Sequence, residues 1–174
     1  MIRLLEAPDE MPRVLRQAQA AGLQVLVRPV LEGDEAVALA AGAGLHHPDA
    51  GPPRRAGPGL ASTSCHDTGR IRAAAAAGLD LCTLAPVFSP RSKPGDARGT
   101  LGLDGLRTAT TAAPGIPVLA LGGVTPDRVA GLLDAGAHGV AGIGCFFRGL
   151  HVDPEQAARI VRAVEARHPC TASS

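Results

Sequence analysis

Two short apolar segments in the second half of the chain each end in a glycine-containing turn. The residues of these turns are Gly122, Gly123, Gly142, Ile143 and Gly144. Because glycine has no Cβ, a ligand can approach the backbone N–H groups of such a turn closely, and converging N–H groups stabilise an anion. Either turn alone is explained by a tight change of chain direction. The pair, in this order, predicts binding of a small phosphorylated ligand.

A basic loop precedes these turns. Arg91, Ser92 and Lys93 place two cations and a hydroxyl between Pro90 and Pro94, and the prolines restrict the backbone. Such groups can follow a phosphate or pyrophosphate and neutralise the charge of a leaving group. A charged loop is often no more than solvated surface, and the nearby glycine turns are what favours a role in ligand binding.

Hydroxyl and imidazole groups follow another predicted strand, in the segment Ser62–Asp67. Ser64 is predicted to contact the ligand, and His66 could donate a hydrogen bond to it or act as an acid or base. Adjacent residues rarely reach the geometry of a Ser–His–Asp triad. We therefore expect Asp67 to cap the next helix instead.

A third polar segment, His46–Asp49, could bind a metal. Neighbouring histidines on a strand point to opposite faces, so at most one of His46 and His47 faces a ligand. Asp49 is the candidate ligand for Mg²⁺, because this cation prefers carboxylate and phosphate oxygens.

Short apolar segments alternate with alanine-rich segments that have the composition of helices. The predicted strands are 2–5, 24–27, 44–46, 60–64, 81–84, 118–121 and 139–143. The predicted helices are 11–20, 34–41, 69–77, 103–112, 126–135 and 154–166, with Thr125 and Asp153 as N-caps before proline. This alternation predicts βαβ units in a parallel sheet. We expect one domain over residues 1–168, an α/β TIM (β/α)8-type barrel of about seven βα units with the polar segments at its mouth, and a disordered tail over 169–174.

The composition argues against several partners. The net charge is +1 and the chain has three Phe and no Trp or Tyr, so nucleic-acid binding has neither a basic surface nor stacking side chains to use. The N-terminus lacks the pattern of a secretion signal, and no apolar run approaches a membrane span, so a cytoplasmic location without membrane contact is expected. The cysteines are scattered and predict no zinc site.

The segments 86–94, 101–103 and 121–123 resemble the thiamine phosphate synthase / TenI family. The resemblance implies a (β/α)8 barrel that joins hydroxymethylpyrimidine pyrophosphate to thiazole phosphate and releases pyrophosphate with Mg²⁺. It also implies that Ser64 lies near the pyrimidine, that Ser92 and Lys93 handle the phosphate or pyrophosphate, and that the two glycine turns surround the thiazole phosphate. TenI-type members of the family isomerise the thiazole phosphate instead.

The chain departs from this family on the side that would bind pyrophosphate and Mg²⁺. The stretch Arg3–Ala7 lacks the arginine and lysine of the family motif, and Arg28-Pro29 stands where an Asn-Asp pair is expected. The family's first strand and helix have no counterpart here, so a homodimer or an upstream domain is expected to close the barrel. Two alternatives follow: a non-catalytic module that binds thiazole phosphate or thiamine phosphate, and a TenI-like tautomerase that uses His66 or Cys65.

Overall fold

Six strands form one parallel sheet in the computed structural model, which describes residues 11–27, 40, 42–49, 51–53, 55, 59–89, 99–149 and 151–167. The strands are β1 (Leu26–Val27), β2 (Gly44–His47), β3 (Ala61–Cys65), β4 (Leu81–Leu84), β5 (Val118–Leu121) and β6 (Gly139–Ala141). Each strand pairs in parallel with the next one along the chain, so the spatial order is the chain order. The predicted parallel α/β architecture is confirmed, and β1 and β6 are its outer strands among those described.

Helices connect and cover the strands. They are α1 (Met11–Ala20), α2 (Thr68–Ala76), α3 (Gly102–Ala112), α4 (Val129–Asp134) and α5 (Pro154–Glu165). Asp67 and Asp153 cap α2 and α5 as predicted, because their carboxylates accept hydrogen bonds from Arg70 N at 2.8 Å and Gln156 N at 3.1 Å. Thr125 makes no capping hydrogen bond, and α4 is shorter than predicted because Pro126–Arg128 forms a 3₁₀ turn.

The two faces of the sheet differ in chemistry. Residues paired in register share a face, and alternate residues of a strand point to opposite faces. One face carries buried apolar side chains and packs on the helices, with Leu45, Ala61, Cys82, Leu84, Val118 and Ala120 meeting Ile71, Leu106 and Leu132. The opposite face is polar near its centre, because His46, Ser62, Ser64 and Thr83 lie on it.

Some predicted features lie outside the described residues. These are the strand at 2–5, the helix at 34–41 apart from residue 40, which is helical, the basic loop at 90–98 and the tail after residue 168. A short antiparallel hairpin, Phe147–Arg148 with His151–Val152, was not predicted, since two-residue strands carry no alternation pattern. None of the described helices combines the length and apolar composition that crossing a lipid bilayer requires.

Candidate active site

His66 connects the loops that follow three neighbouring strands. Its Nδ1 lies 2.5 Å from the carbonyl oxygen of Ala85, and its Nε2 lies 3.9 Å from Oδ2 of Asp49. Because a carbonyl can only accept, Nδ1 carries the proton. The chain ends of β2, β3 and β4 therefore meet at one edge of the sheet, the carboxyl edge at which barrels of this type place their active sites.

Asp49, the predicted Mg²⁺ ligand, has a cation beside it in the structure. Its Oδ1 lies 2.7 Å from Nε of Arg70, a side chain that is only 14% exposed. The same guanidinium donates to the carbonyl oxygen of Gly51 at 2.6 Å, so it holds the loop after β2 against α2. In the described part of the chain, no three His, Cys, Asp or Glu side chains converge as a metal site would require.

Ser64 is paired with His46 rather than with His66. Its Oγ lies 2.9 Å from Nε2 of His46, whose Nδ1 lies 2.8 Å from Oγ of Ser62. Sequence reasoning treated His46 only as half of a histidine pair. The alternation of β2 and β3 was the signal that could have found this network, because it places all three side chains on one face.

The glycine pair after β5 is required by close packing. Val87 N donates to Leu121 O at 2.9 Å and Phe88 N to Gly122 O at 3.2 Å. A Cβ on Gly122 would lie 2.8 Å from the Phe88 carbonyl oxygen, and one on Gly123 would lie 2.7 Å from Phe88 Cβ. Their φ angles of +104° and +57° also favour glycine. This packing joins the turn to segment 86–89, which leads into the basic loop.

Arg128 also contacts the junction between the Gly122–Gly123 turn and segment 86–89. The sequence analysis did not predict this contact. Its Nη1 donates to Gly123 O at 2.8 Å, and its guanidinium carbon lies 4.5 Å from the centre of the Phe88 ring. A cation at the N-terminus of α4 opposes the helix dipole. That local conflict was the available signal that Arg128 has a partner outside its own helix.

We expect Arg128→Gln to lower the free energy of unfolding by about 1 kcal/mol, because it removes an exposed cation–π contact and a hydrogen bond. Urea denaturation measures the difference. Arg107→Gln is the matched control, since the one ion pair of Arg107 with a described residue is with the exposed Asp104 on α3, and the substitution should change stability by less than about 0.5 kcal/mol. Equal effects of the two substitutions would contradict a stabilising contact of Arg128 with Gly123 and Phe88.

The second glycine turn follows β6, and β6 pairs directly with β5. The two glycine turns are therefore neighbours at the carboxyl edge of the sheet. The carbonyl oxygen of Ile143 accepts from Phe146 N and Phe147 N, both at 2.9 Å. A Cβ on Gly142 would overlap the sulfur of Cys145, whereas one on Gly144 would meet nothing within 4 Å. Gly144 is the exposed end of this turn.

The buried thiols are poor candidates for acid–base chemistry. A hydrogen bond with the Cys82 side chain and burial both raise the pKa of Cys65 far above its usual range. Burial raises the pKa of Cys145 to about 11. Both thiols therefore stay protonated at neutral pH.

The remaining predicted site residues, Arg91, Ser92 and Lys93, lie outside the described residues.

Comparison with known proteins agrees with this arrangement. Residues 6–146 match the family described as thiamine monophosphate synthase. The chain is 38% identical over 108 residues to the thiamine-phosphate synthase of Moorella thermoacetica, covering 62% of this chain and 50% of that protein. It is 44% identical over 86 residues to the thiamine-phosphate synthase of Salinibacter ruber, covering 49% and 36%. The structure of a thiamine phosphate pyrophosphorylase from Pyrococcus furiosus superposes with a TM-score of 0.67 at 22% identity, covering 94% of this chain and 81% of that one.

The parallel sheet, its covering helices and the loops gathered at the carboxyl edge define an α/β protein of the TIM-barrel-like class. Within that class, the chain belongs to the thiamine monophosphate synthase family. The matched regions span half the length of the Moorella relative and 36% of the Salinibacter relative.

Proposed function

We infer that this chain carries out the thiamine-phosphate synthase reaction, joining hydroxymethylpyrimidine pyrophosphate to thiazole phosphate. The observation that carries the proposal is the junction between the first glycine turn and segment 86–89. It brings a backbone turn suited to a phosphate next to the start of the loop that contains Lys93. A phosphate-bearing acceptor and a pyrophosphate-bearing donor could therefore be held side by side.

In this reaction the bond between the pyrimidine methylene carbon and the pyrophosphate oxygen breaks first. The bonding pair leaves with pyrophosphate, and the thiazole nitrogen then donates its lone pair to the carbocation to form the new C–N bond. The step needs stabilisation of the leaving group more than it needs a base. We assign the leaving pyrophosphate to Lys93, Ser92 and Arg91, and the pyrimidine to Ser64.

The thiazole phosphate is assigned to the two neighbouring turns. Their proposed binding residues are Gly122, Gly123, Gly142, Ile143 and Gly144. The turns are adjacent because β5 and β6 pair directly, and the open space at Gly144 supports access for an anion. His66 lies on the same edge, but its Nδ1 proton already serves Ala85. We give His66 a binding role.

Mg²⁺ is the cofactor that the family resemblance implies. Asp49 is the candidate protein ligand, and the guanidinium of Arg70 already stands against its carboxylate. The described residues do not fit a preformed Mg²⁺ site, and no step is assigned to the metal.

We further propose that a second copy of the chain or a preceding domain pairs with the outer strands β1 and β6. Light scattering tests the first of these.

Lys93→Ala tests the assignment of the leaving group. We expect pyrophosphate release to fall by at least about a thousandfold, because a developing anion loses its cation, with little change in the urea midpoint. The sequence contains no other lysine, so reductive methylation of the wild-type chain changes only this side chain and the N-terminal amine. Substrate should protect Lys93 from methylation. Normal turnover by Lys93→Ala would refute the assignment of the leaving pyrophosphate to Lys93. Wild-type chain that binds thiazole phosphate but shows no turnover would instead be a binding module.

A further inference from the structure

Gln156, in the first turn of α5, reaches from its helix to the second glycine turn. Its Nε2 donates to the carbonyl oxygen of Cys145 at 2.7 Å and lies 3.5 Å from the carbonyl oxygen of Gly144. Both neighbours are carbonyl oxygens, which only accept, so the nitrogen of the side-chain amide must face them rather than its oxygen. The Gln156 side chain is half-buried, so this contact is partly shielded from water.

The local sequence pattern predicts a different partner for Gln156. Asp153 caps α5 and Gln156 follows three residues later, which is the spacing of a capping box. In that motif the glutamine side chain bonds to the backbone N–H of the cap residue. Here the Asp153 N–H donates to the carbonyl oxygen of Phe146 at 2.8 Å instead. The Gln156 side chain is therefore not needed for capping and bonds to the turn.

The peptide group between Cys145 and Phe146 is held at both ends. Its carbonyl oxygen accepts from Gln156, and its N–H donates to the carbonyl oxygen of Ile143 at 2.9 Å. The second of these hydrogen bonds closes the turn. Because a peptide group is planar and rigid, the contact with Gln156 fixes the orientation of this closing peptide.

The same contacts set the direction of two further N–H groups. The C=O and N–H of a trans peptide point in opposite directions. The Ile143 carbonyl points into the turn, where it accepts two hydrogen bonds at 2.9 Å, so the Gly144 N–H points out of the turn. The Gly144 carbonyl lies on the side of Gln156, so the Cys145 N–H points away from α5. Within the described residues, neither N–H donates to a backbone carbonyl.

An anion has access to this turn. Gly144 is exposed, and a Cβ placed on it would meet nothing within 4 Å. The Asp153 carboxylate at the start of α5 is paired with Nε of Arg148 at 2.7 Å, so its negative charge is balanced close to the turn. The carbonyl oxygens, which would repel an anion, are the groups that Gln156 holds toward the helix.

We propose that Gln156 is a positioning residue for the phosphate group of the acceptor substrate. It holds the carbonyl oxygens of the turn toward α5 and thereby keeps the N–H groups of Gly144 and Cys145 directed at the phosphate. Gln156 does not touch the ligand in this role. The inference rests on the proposed function, in which the second glycine turn binds thiazole phosphate.

The test compares binding of thiazole phosphate and of the unphosphorylated thiazole alcohol by calorimetry on the full chain. Gln156→Met keeps the length of the side chain and removes the donor. It should lower the preference for the phosphorylated compound about tenfold, the scale of one lost hydrogen bond, and leave the affinity for the alcohol unchanged. In turnover, KM for thiazole phosphate should rise while kcat changes less than about twofold, because the phosphate is remote from the reacting atoms.

Gln17→Met is the matched control, since Gln17 is exposed on α1, and it should change neither affinity. A glutamine with a merely structural role would give a different result. Gln156→Met would then lower the melting temperature and weaken both compounds by the same factor, and that outcome would overturn the inference.

Amide spectra report on the N–H groups directly. Inorganic phosphate should shift the ¹H–¹⁵N resonances of Gly144 and Cys145 in the wild-type chain, and the shifts should be smaller in Gln156→Met. If neither amide responds in a chain that turns over both substrates, the inference fails and the proposed function stands. If the wild-type chain binds neither substrate, the proposed function itself fails.

Discussion

Gly123→Ala is expected to lower the free energy of unfolding by about 3 kcal/mol. Two costs add up. The φ angle of +57° places an alanine in the left-handed region, which costs about 1–2 kcal/mol. The new Cβ would also lie 2.7 Å from Phe88 Cβ and 2.8 Å from the Ser89 carbonyl oxygen, and overpacking of this kind costs about 1–3 kcal/mol.

Two other glycines separate these costs. Gly102 has a φ angle of +63° and nothing within 4 Å of a Cβ, so Gly102→Ala should show the conformational cost alone, about 1–2 kcal/mol. Gly144 has neither a positive φ nor a neighbour, and Gly144→Ala should stay within about 0.5 kcal/mol of wild type. Urea denaturation of the three variants measures the series. If Gly123→Ala costs no more than Gly102→Ala, segment 86–89 does not pack on the turn as described.

Arg70→Met is expected to cost about 2 kcal/mol, because the Asp49 carboxylate loses its ion-pair partner and the Gly51 carbonyl loses a charged hydrogen-bond donor. Arg70 is 14% exposed and Asp49 30% exposed, so solvent replaces part of the loss. Met keeps the length and apolar contacts of the arginine side chain. The matched control is Arg107→Met, whose pair with Asp104 is 56% and 99% exposed and should contribute less than about 0.5 kcal/mol.

The same variant tests whether Arg70 competes with a metal. Removal of the guanidinium leaves Asp49 open to a divalent cation, so Mg²⁺ should raise the melting temperature of Arg70→Met more than that of wild type. Asp49→Asn combined with Arg70→Met should lose this response. Equal stabilisation of wild type and Arg70→Met by Mg²⁺, with loss of the effect in Asp49→Asn alone, would show that Asp49 binds metal despite its pairing.

Local elements were predictable where the sequence signal is local. The bounds of α1, β4 and β5 agree with the predicted ranges, because alanine-rich amphipathic and short apolar segments each have their own period. The cap at Asp67 was also predictable, since it involves residues three positions apart. The 3₁₀ turn and the hairpin near the C-terminus depend on contacts with the rest of the chain, and they were missed.

The amino-acid sequence by itself determined the alternation of strands and helices, the parallel sheet and the glycine turns at strand ends. These follow from periodicity and from residue types whose preferences act over a few positions. Only the tertiary structure decided which polar groups meet. Ser64 bonds to His46 rather than to the nearer His66 in sequence, Asp49 pairs with Arg70, and Arg128 stacks on Phe88. The physical reason is that strand register and loop packing, which join residues 18 to 40 positions apart in these pairs, select hydrogen-bond and charge partners that chain proximity does not reveal.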